Sequence, residues 1–429
     1  MEKSHEKLAK HPSGLPTLFF TEMWERLSYY GMRALLVLYL VKELSFTDER
    51  AGQVYGLYTS LVYLTPILGG FLADRYLGYK RSIYIGSLLM LCGHLSLAFP
   101  RIESFYLGLS LLILGNGFFK PNMSTIVGRL YDNKPSLRDS GYTIFYMGIN
   151  LGGLIGPIIC GSLGEKVDWH YGFGAAGIGM AIGICVFYLG SRKLPLDIWT
   201  NVRNKEINTI SDTEAAGERQ SILLILILSF FSILFWMAFE QMGSSMNLFA
   251  DRNTDRFLFG KEIPASFFQS INPLFILLLS PLLASVWNRL SVRKLNPDPI
   301  LKFVYSLVLL GIGFLVMVWA CTTMNGVGLV SVWFLFGAYF FNTMSELLLS
   351  PVGLSFVSAT APKKSAGMLM GIWFLSTAFG HYLAGYFSGF LSGFTHQADF
   401  FAFFVLSSWL GALLLFLLWF KIRHWLIVR

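Results

Sequence analysis

The sequence predicts an all-α membrane protein with twelve transmembrane helices arranged in two six-helix bundles. Composition supports this prediction, because 54% of the 429 residues are hydrophobic and only 14% are charged. An ordinary soluble domain carries about 25% charged residues, so a soluble fold of this length could not bury so much apolar surface. Aromatic residues make up 16% of the chain, as is typical of helices with rings at the membrane interfaces.

Twelve apolar runs are long enough to cross a bilayer core, which requires about 20 mostly apolar residues in a helix. The first six lie near residues 17–41, 53–73, 82–100, 104–124, 142–165 and 170–190. The last six lie near residues 220–247, 264–288, 300–321, 327–354, 365–391 and 398–420.

Polar segments flank and divide these runs. They predict a tail at 1–16, an N-terminal bundle at 17–190, a linker at 191–219, a C-terminal bundle at 220–420 and a second tail at 421–429. Six helices, one linker and six further helices predict two parallel repeats, as in the major facilitator fold.

The distribution of basic residues predicts the orientation in the membrane. Most of the 33 lysines and arginines fall in the tails, the linker and the loops on the same side of the membrane. Loops on the opposite side carry only Lys42, Arg50, Arg101, Lys166, Arg252, Arg256 and Lys261. Because cytoplasmic loops are enriched in Lys and Arg, we expect both termini and the linker to be cytoplasmic. Basic residues that are spread over short loops also argue against nucleic-acid binding.

Charged residues inside the predicted spans are candidate functional groups, because a charge in the bilayer is costly. They are Glu22, Glu25, Arg26, Arg33, Lys120, Glu240 and Glu346. The first span places Glu22, Glu25, Arg26, Tyr29, Tyr30 and Arg33 at a helical spacing that puts all six on one face. This face is predicted to line a wet cavity or the polar interior of a bundle. The alternative is an intrahelical ion pair that only fixes packing.

Depth along the spans predicts two gating pairs, with depth calculated from a rise of about 1.5 Å per residue. Arg33 and Glu240 fall at similar outer depths, and Lys120 and Glu346 fall at similar inner depths. Each pair joins one predicted bundle to the other. A transporter that rocks between two states needs contacts of this kind, which form at one mouth while the other is open.

Polar residues elsewhere in the spans predict a cavity at mid-membrane depth. Tyr63, Asn150, Asn272 and Trp373 are candidates for its lining. Trp373 in the core, and Asn150 and Asn272 in interhelical hydrogen bonds, are the alternative interpretations. His94 and His381 are predicted to be hydrogen-bonded histidines within the bundles.

The sequence offers little support for catalysis. We find no metal-ligand spacing, no Ser-His pairing and no Gly-x4-Gly-Lys-Ser/Thr loop. We therefore expect a secondary active transporter with no cofactor and no metal, rather than a membrane enzyme or an ATP-driven pump.

Several motifs then resemble those of the proton-coupled oligopeptide transporter family, a branch of the major facilitator superfamily. In the N-terminal half they are EMWERLSYYG at 22–31, GGFLADRYLGYKR at 69–81, GFFKPN at 117–122 and FYMGINLGG at 145–153. In the C-terminal half they are FEQ at 239–241, QSINP at 269–273, ELLLSP at 346–351 and WFLS at 373–376. The resemblance covers nearly the whole chain.

The resemblance implies roles for individual residues. Proton coupling would involve Glu22, Glu25, Arg26 and Glu240. The peptide carboxylate would be held by Arg26, Tyr30 and Lys120, with Arg33 nearby. The amino end would be held by Asn150, Asn272 and Glu346, and the side-chain pockets would be shaped by Tyr29, Tyr63, Trp373 and Ser376.

The expected function is proton-coupled import of di- and tripeptides by alternating access. The family also includes carriers of nitrate and other small anions, so these substrates and peptide-like drugs or metabolites are the alternatives. Glu346 argues against a simple anion, which has no ammonium group for a carboxylate to bind. We expect a multi-pass monomer in the bacterial inner membrane, in contact with lipid, peptides and protons.

Overall fold

The computed structural model describes residues 10–195, 212–258, 260–324, 328–362 and 365–423. The N-terminal half contains α1 (Leu15–Lys42), α2 (Asp48–Leu72), α3 (Tyr79–Leu97), α4 (Ile102–Leu130), α5 (Arg138–Lys166) and α6 (Trp169–Gly190). The C-terminal half contains α7 (Asp212–Phe239), α8 (Ser245–Asn253), α9 (Ile271–Val292), α10 (Pro299–Thr322), α11 (Trp333–Thr360), α12 (Ala366–Ser388) and α13 (Gln397–Ile422).

Four two-residue strands lie in the loops of the C-terminal half. β1 (Thr254–Asp255) pairs in parallel with β4 (Val330–Ser331), and β2 (Phe257–Leu258) pairs antiparallel with β3 (Lys261–Glu262). The first pair joins the loop that follows α8 to the loop that precedes α11.

The apolar character of the helices fits the predicted membrane protein. Within the described ranges, nine helical segments are long and apolar enough to cross a membrane. The other three long helices, α1, α3 and α12, coincide with the remaining predicted spans, so this number is compatible with twelve crossings. Apolar side chains such as Leu68, Leu189 and Leu406 are more than 60% exposed, as expected for surfaces that contact lipid.

The predicted helix boundaries differ from the observed ones at several positions. α2 begins at Asp48 rather than near 53, and α11 begins at Trp333 rather than near 327. α7 begins at Asp212, so the last part of the predicted linker is helical. Residues 1–9, 196–211, 327 and 424–429, which belong to the predicted tails, linker and tenth span, lie outside the described residues.

The seventh predicted span, expected to be continuous over 220–247, is instead broken. A short 3₁₀ turn at Glu240–Gly243 separates α7 from α8. The Met242 carbonyl oxygen, which lies in this turn, accepts hydrogen bonds from Gln269 Nε2 and, at 3.2 Å, from the Tyr339 hydroxyl. A break in a membrane helix leaves backbone carbonyls without their helical partners. The two side chains supply hydrogen-bond donors for one such carbonyl.

One end of the molecule, where α1 ends and α2 begins, is closed by contacts between the two halves; we call it the distal end. Lys42 Nζ lies 2.6 Å from Asp251 Oδ1. Arg252 donates two hydrogen bonds of 2.7 Å to the two carboxylate oxygens of Asp48. The opposite end, where α1 begins, is called the proximal end.

Helices α2 and α12 cross closely at the distal end. A methyl group added to Gly385 would lie 2.3 Å from Gly56 Cα and 2.4 Å from the Gly52 carbonyl oxygen. Only a residue without a side chain allows this approach, so the close crossing depends on Gly385.

We expect Gly385→Val to hold α2 and α12 apart and to open the distal end. The valine side chain has no space to enter, because its contacts would be backbone atoms of α2. The measurement is the distance between spin labels placed on α2 and α12 at the distal end. Gly371→Val in the same helix is the matched control, since nothing lies within 4 Å of a methyl group there. An unchanged distance in Gly385→Val would show that this crossing does not close the distal end.

Candidate substrate and proton site

A cavity of about 290 Å³ lies between the two halves, on the proximal side of the closing contacts. Nine of the residues predicted from sequence line it: Glu22, Arg26, Tyr30, Tyr63, Lys120, Asn150, Asn272, Glu346 and Trp373. A second cavity of about 530 Å³ lies between α9, α10 and α11 toward the proximal end, and Tyr146 lines both cavities.

The α1 charges form a buried cluster around Arg26. Its guanidinium donates to both oxygens of Glu25, with Nη2 2.8 Å from Oε1 and a short contact from Nε to Oε2. Arg26 Nε also lies 3.2 Å from Glu22 Oε1, one helical turn away. All three residues are at most 3% exposed. One cation therefore neutralises two carboxylates only in part, and the cluster can accept a further positive charge.

The two acids of this cluster are held differently. Glu25 uses both oxygens on Arg26, whereas Glu22 Oε2 makes no hydrogen bond to any described residue. Glu22 lines the cavity and Glu25 does not. Glu22 is therefore the acid of the pair that can exchange a proton with water in the cavity.

Lys120, on α4, lies on the same side of the cavity as Arg26. Its Nζ is 4.3 Å from the centre of the Tyr63 ring, a cation–π distance. No carboxylate of a described residue lies within 4.0 Å of it. Arg26 and Lys120 thus place two cations on the wall formed by the N-terminal half, and Lys120, with no carboxylate in contact among the described residues, is available for an anionic ligand.

Glu346, on α11, gives the opposite wall its negative charge. Its Oε2 accepts a 2.8 Å hydrogen bond from Asn272 Nδ2, and the same amide contacts Thr343 Oγ1 at 3.1 Å. Asn150, across the cavity on α5, donates to the Tyr146 carbonyl oxygen at 2.9 Å. Glu346 therefore has one polar partner that holds its orientation and no cation among the described residues within 4.0 Å.

A smaller chamber of about 70 Å³ connects this cavity to the distal contacts, because Tyr30, Asn272 and Glu346 line both spaces. Arg33 and Glu240 line its distal side. Arg33 Nη2 lies 2.5 Å from Glu240 Oε2, and Arg33 Nε donates to the Tyr55 hydroxyl at 2.9 Å.

One of the two predicted gating pairs is formed in this structure and the other is not. Arg33 and Glu240 are in contact across the two halves. Lys120 and Glu346 instead face the same cavity without contacting each other. This is the arrangement expected of a state that is closed at the distal end and open on the proximal side.

Five predicted residues do not line the cavity: Glu25, Tyr29, Arg33, Glu240 and Ser376. Tyr29 is buried, with its ring 5.2 Å from the Arg26 guanidinium carbon, and its hydroxyl makes no hydrogen bond to a described residue. Ser376 is buried on α12 and donates to the Trp373 carbonyl oxygen of its own helix at 2.7 Å.

Sequence analysis missed half of the cavity lining, most of it apolar. Tyr146, Ile149, Trp236, Pro273, Ile276, Ser350, Leu354, Phe374 and Thr377 also line the cavity. Aromatic and aliphatic residues are equally common on lipid-facing surfaces, so the sequence carries no signal that separates them. The ion pairs of Asp48 and Asp251 at the distal end were missed as well.

The expectation for the two histidines was wrong. His94 and His381 are fully buried, and none of their ring nitrogens makes a hydrogen bond to a described residue. His381 Nδ1 lies 3.6 Å from Glu240 Oε2, so it adjoins the gating pair.

Comparison with known proteins supports the fold and shows the family. The POT family profile matches residues 80–195 and 193–404. The peptide transporter YePEPT of Yersinia enterocolitica is 33% identical over 88% of this chain and 88% of its own length. A di-/tripeptide transporter of Lactococcus lactis subsp. cremoris is 33% identical over 88% of this chain and 89% of its own.

A solved structure agrees with these relatives. The crystal structure of peptide transporter POT in complex with sulfate superposes with a TM-score of 0.87, at 31% identity, over 97% of this chain and 96% of that one. The chain is therefore a multi-pass membrane transporter that belongs to the POT family, the proton-coupled oligopeptide transporters of the major facilitator superfamily.

Proposed function

We propose that this protein is a proton-coupled symporter that imports di- and tripeptides by alternating access. The observation that carries the proposal is one cavity with cations on one wall and an unpaired acid on the other. Arg26 and Lys120 come from the N-terminal half, and Glu346 comes from the C-terminal half. A zwitterionic peptide has charges that match both walls.

The peptide carboxylate binds Arg26 and Lys120, with the Tyr30 hydroxyl beside them. The peptide ammonium binds Glu346, which Asn272 orients. Asn150 lines the same cavity and contacts the amino end from the opposite wall. Trp373 and the other apolar lining residues contact the side chains. Because each wall belongs to a different half, a bound peptide favours a state in which the halves approach each other.

Cavity size supports short peptides as the substrate class. At about 290 Å³, the cavity is just below the range of roughly 300–1,000 Å³ for small-molecule sites, as expected for a small ligand. The apolar part of the lining contacts the side chains of the peptide, and it carries no charged group that would select one type of side chain.

Proton coupling follows because the peptide carboxylate and two glutamates compete for Arg26. An arriving peptide carboxylate competes with Glu22 and Glu25 for this guanidinium, and an acid that loses its cation in a buried site is neutralised by a proton. Glu240 is the further protonatable site, since it loses Arg33 when the distal end opens. The coupled states are the distal-closed state described above and an opposite state in which Lys120 and Glu346 pair.

The distal end faces the outside in this proposal, and both termini are cytoplasmic in the bacterial inner membrane. The excess of Lys and Arg at the proximal end supports this orientation. The driving force is the proton gradient, with no cofactor, and the transporting unit is a monomer.

The direct test of this function is uptake of a labelled dipeptide into proteoliposomes, with and without an inward proton gradient. We expect accumulation that requires the gradient and is inhibited by unlabelled di- and tripeptides. Uptake of nitrate but not of dipeptide would instead favour the anion carrier, which Glu346 opposes.

Replacing Glu22 or Glu25 with Gln is expected to abolish gradient-driven accumulation and to retain counterflow. Glutamine mimics the protonated acid permanently, so peptide can exchange across the membrane while no proton is carried. The measurement is paired uptake and counterflow on each variant at one pH. Variants that still concentrate peptide against its gradient would remove this cluster from the coupling mechanism.

A further inference from the structure

A buried histidine adjoins the distal gating pair. His381, on α12, is 0% exposed, and its ring lies between the rings of Tyr63 and Trp236, with centroid distances of 4.4 Å and 5.4 Å. Gly380 allows this approach of α12 to α7, because a methyl group there would lie 2.6 Å from Trp236 Cβ. The packing fixes the ring so that Nδ1 points toward Glu240, at 3.6 Å from Oε2.

The Glu240 carboxylate has three neighbours that compete for the same oxygen. Oε2 lies 2.5 Å from Arg33 Nη2, 3.4 Å from the Tyr55 hydroxyl and 3.6 Å from His381 Nδ1. With Arg33 in place, the carboxylate is already neutralised, and a proton on His381 would add a second buried cation. Without Arg33, the carboxylate is a buried charge with no cation in contact, which is costly.

The surroundings of His381 contain one acid and two cations. Glu240 faces it from the end of α7, Arg33 from α1 and Lys120 from α4, while α2 contributes the Tyr63 ring. Glu240 is thus the acid that favours a charged imidazole, and Arg33 and Lys120 oppose it. The balance changes sign with the position of Arg33, which is the element that moves when the distal end opens.

We propose that His381 and Glu240 form a shared proton site, which fills when Arg33 leaves Glu240 and empties when Arg33 returns. This rests on the function proposed above and adds a proton-holding residue to it. On filling, a hydronium ion at the open distal end transfers a proton to His381 Nδ1 and becomes water. The imidazolium N–H then donates to Glu240 Oε2, so the pair gains one proton and the carboxylate regains a cationic partner.

Emptying follows a route that the small chamber provides. As Arg33 returns, the proton passes from Nδ1 to Oε2 and then to water in the chamber, because Glu240 lines that space and His381 does not. The chamber volume of about 70 Å³ is enough to hold water. Glu346 lines the other side of the chamber, so the released proton reaches the substrate cavity.

His94 provides a matched control within the same chain. It is as buried as His381, and neither of its ring nitrogens has a hydrogen-bond partner among the described residues. Unlike His381, it has no charged neighbour among the described residues. A substitution of His94 therefore measures the purely structural effect of removing a buried imidazole, and the His381 variant can be compared with it.

The first test observes the proton directly in the full-length protein, labelled with ¹⁵N-histidine and reconstituted in nanodiscs. Arg33→Ala mimics the withdrawn gate, and His381→Asn assigns the resonance among the seven histidines. We expect His381 to be neutral in wild type and an imidazolium in Arg33→Ala at pH 7, while His94 stays neutral in both. A His381 resonance that stays neutral in Arg33→Ala at pH 6 overturns the proposal.

The second test measures the external proton concentration that gives half-maximal dipeptide uptake. His381→Asn is expected to require about tenfold more protons, or about one pH unit, whereas His94→Asn matches wild type. An unchanged midpoint in His381→Asn, or an equal shift in His94→Asn, overturns the proton role. If wild type itself takes up no peptide, the proposed function fails, and the resonance measurement still decides whether the shared site exists.

Discussion

Lys120→Ala is expected to reduce gradient-driven dipeptide uptake to background, a loss of about 10- to 100-fold if one charge-assisted hydrogen bond to the peptide carboxylate is removed. Lys120 is the cation on the wall of the N-terminal half that has no carboxylate partner within the described residues, so its charge is free for the substrate. It is also the inner gating partner of Glu346, which would be left without a cation when the proximal side closes.

Lys302→Ala is the matched control for this variant. Lys302 Nζ lies 4.5 Å from the Trp287 ring centre, a contact similar to that of Lys120 on Tyr63, but it lines the neighbouring cavity. We expect normal uptake from Lys302→Ala. Full proton-driven uptake by Lys120→Ala would remove this lysine from substrate binding and gating.

Glu346→Gln is expected to abolish both gradient-driven uptake and counterflow, in contrast to the Glu22 and Glu25 variants. The glutamine carbonyl can still accept the 2.8 Å hydrogen bond from Asn272, so the local structure is retained and only the charge is lost. Without that charge the peptide ammonium has no counter-ion, and binding falls by about 10- to 100-fold. Paired uptake and counterflow at saturating and low peptide separate a binding defect from a coupling defect.

A second substrate sharpens this test. A dipeptide whose amino end is acetylated has no ammonium group, so it should compete poorly in wild type and should lose nothing further in Glu346→Gln. Retained counterflow of an unmodified dipeptide in Glu346→Gln would show that this carboxylate does not hold the amino end.

The charged part of the site could be predicted from the sequence because it follows from helix geometry and from depth along the spans. Glu22 and Arg26 are one turn apart on any α-helix, so their contact required no knowledge of the fold. Pairing of Arg33 with Glu240 across 207 positions of sequence followed from equal depth in two spans that enter from the same side. A buried charge is costly in a membrane, so each one marked a candidate functional position.

The remaining features depend on tertiary contacts that leave no local signal. The break at Glu240–Gly243 is stabilised by Gln269 and Tyr339, which come from other elements of the chain. His94 and His381 have similar apolar sequence surroundings, and only the fold places an acid beside one of them. The aromatic cavity lining likewise resembles lipid-facing sequence.

The central claim is that peptide and proton cross together, and lumenal pH during peptide entry tests it most directly. Proteoliposomes that contain a pH-sensitive dye, with equal pH on both sides and a clamped membrane potential, receive an inward dipeptide gradient. The account predicts that the lumen acidifies as peptide enters, and that Glu22→Gln and Glu25→Gln vesicles exchange peptide without acidification. Wild-type peptide entry with no change of lumenal pH, or with alkalinisation, would contradict it.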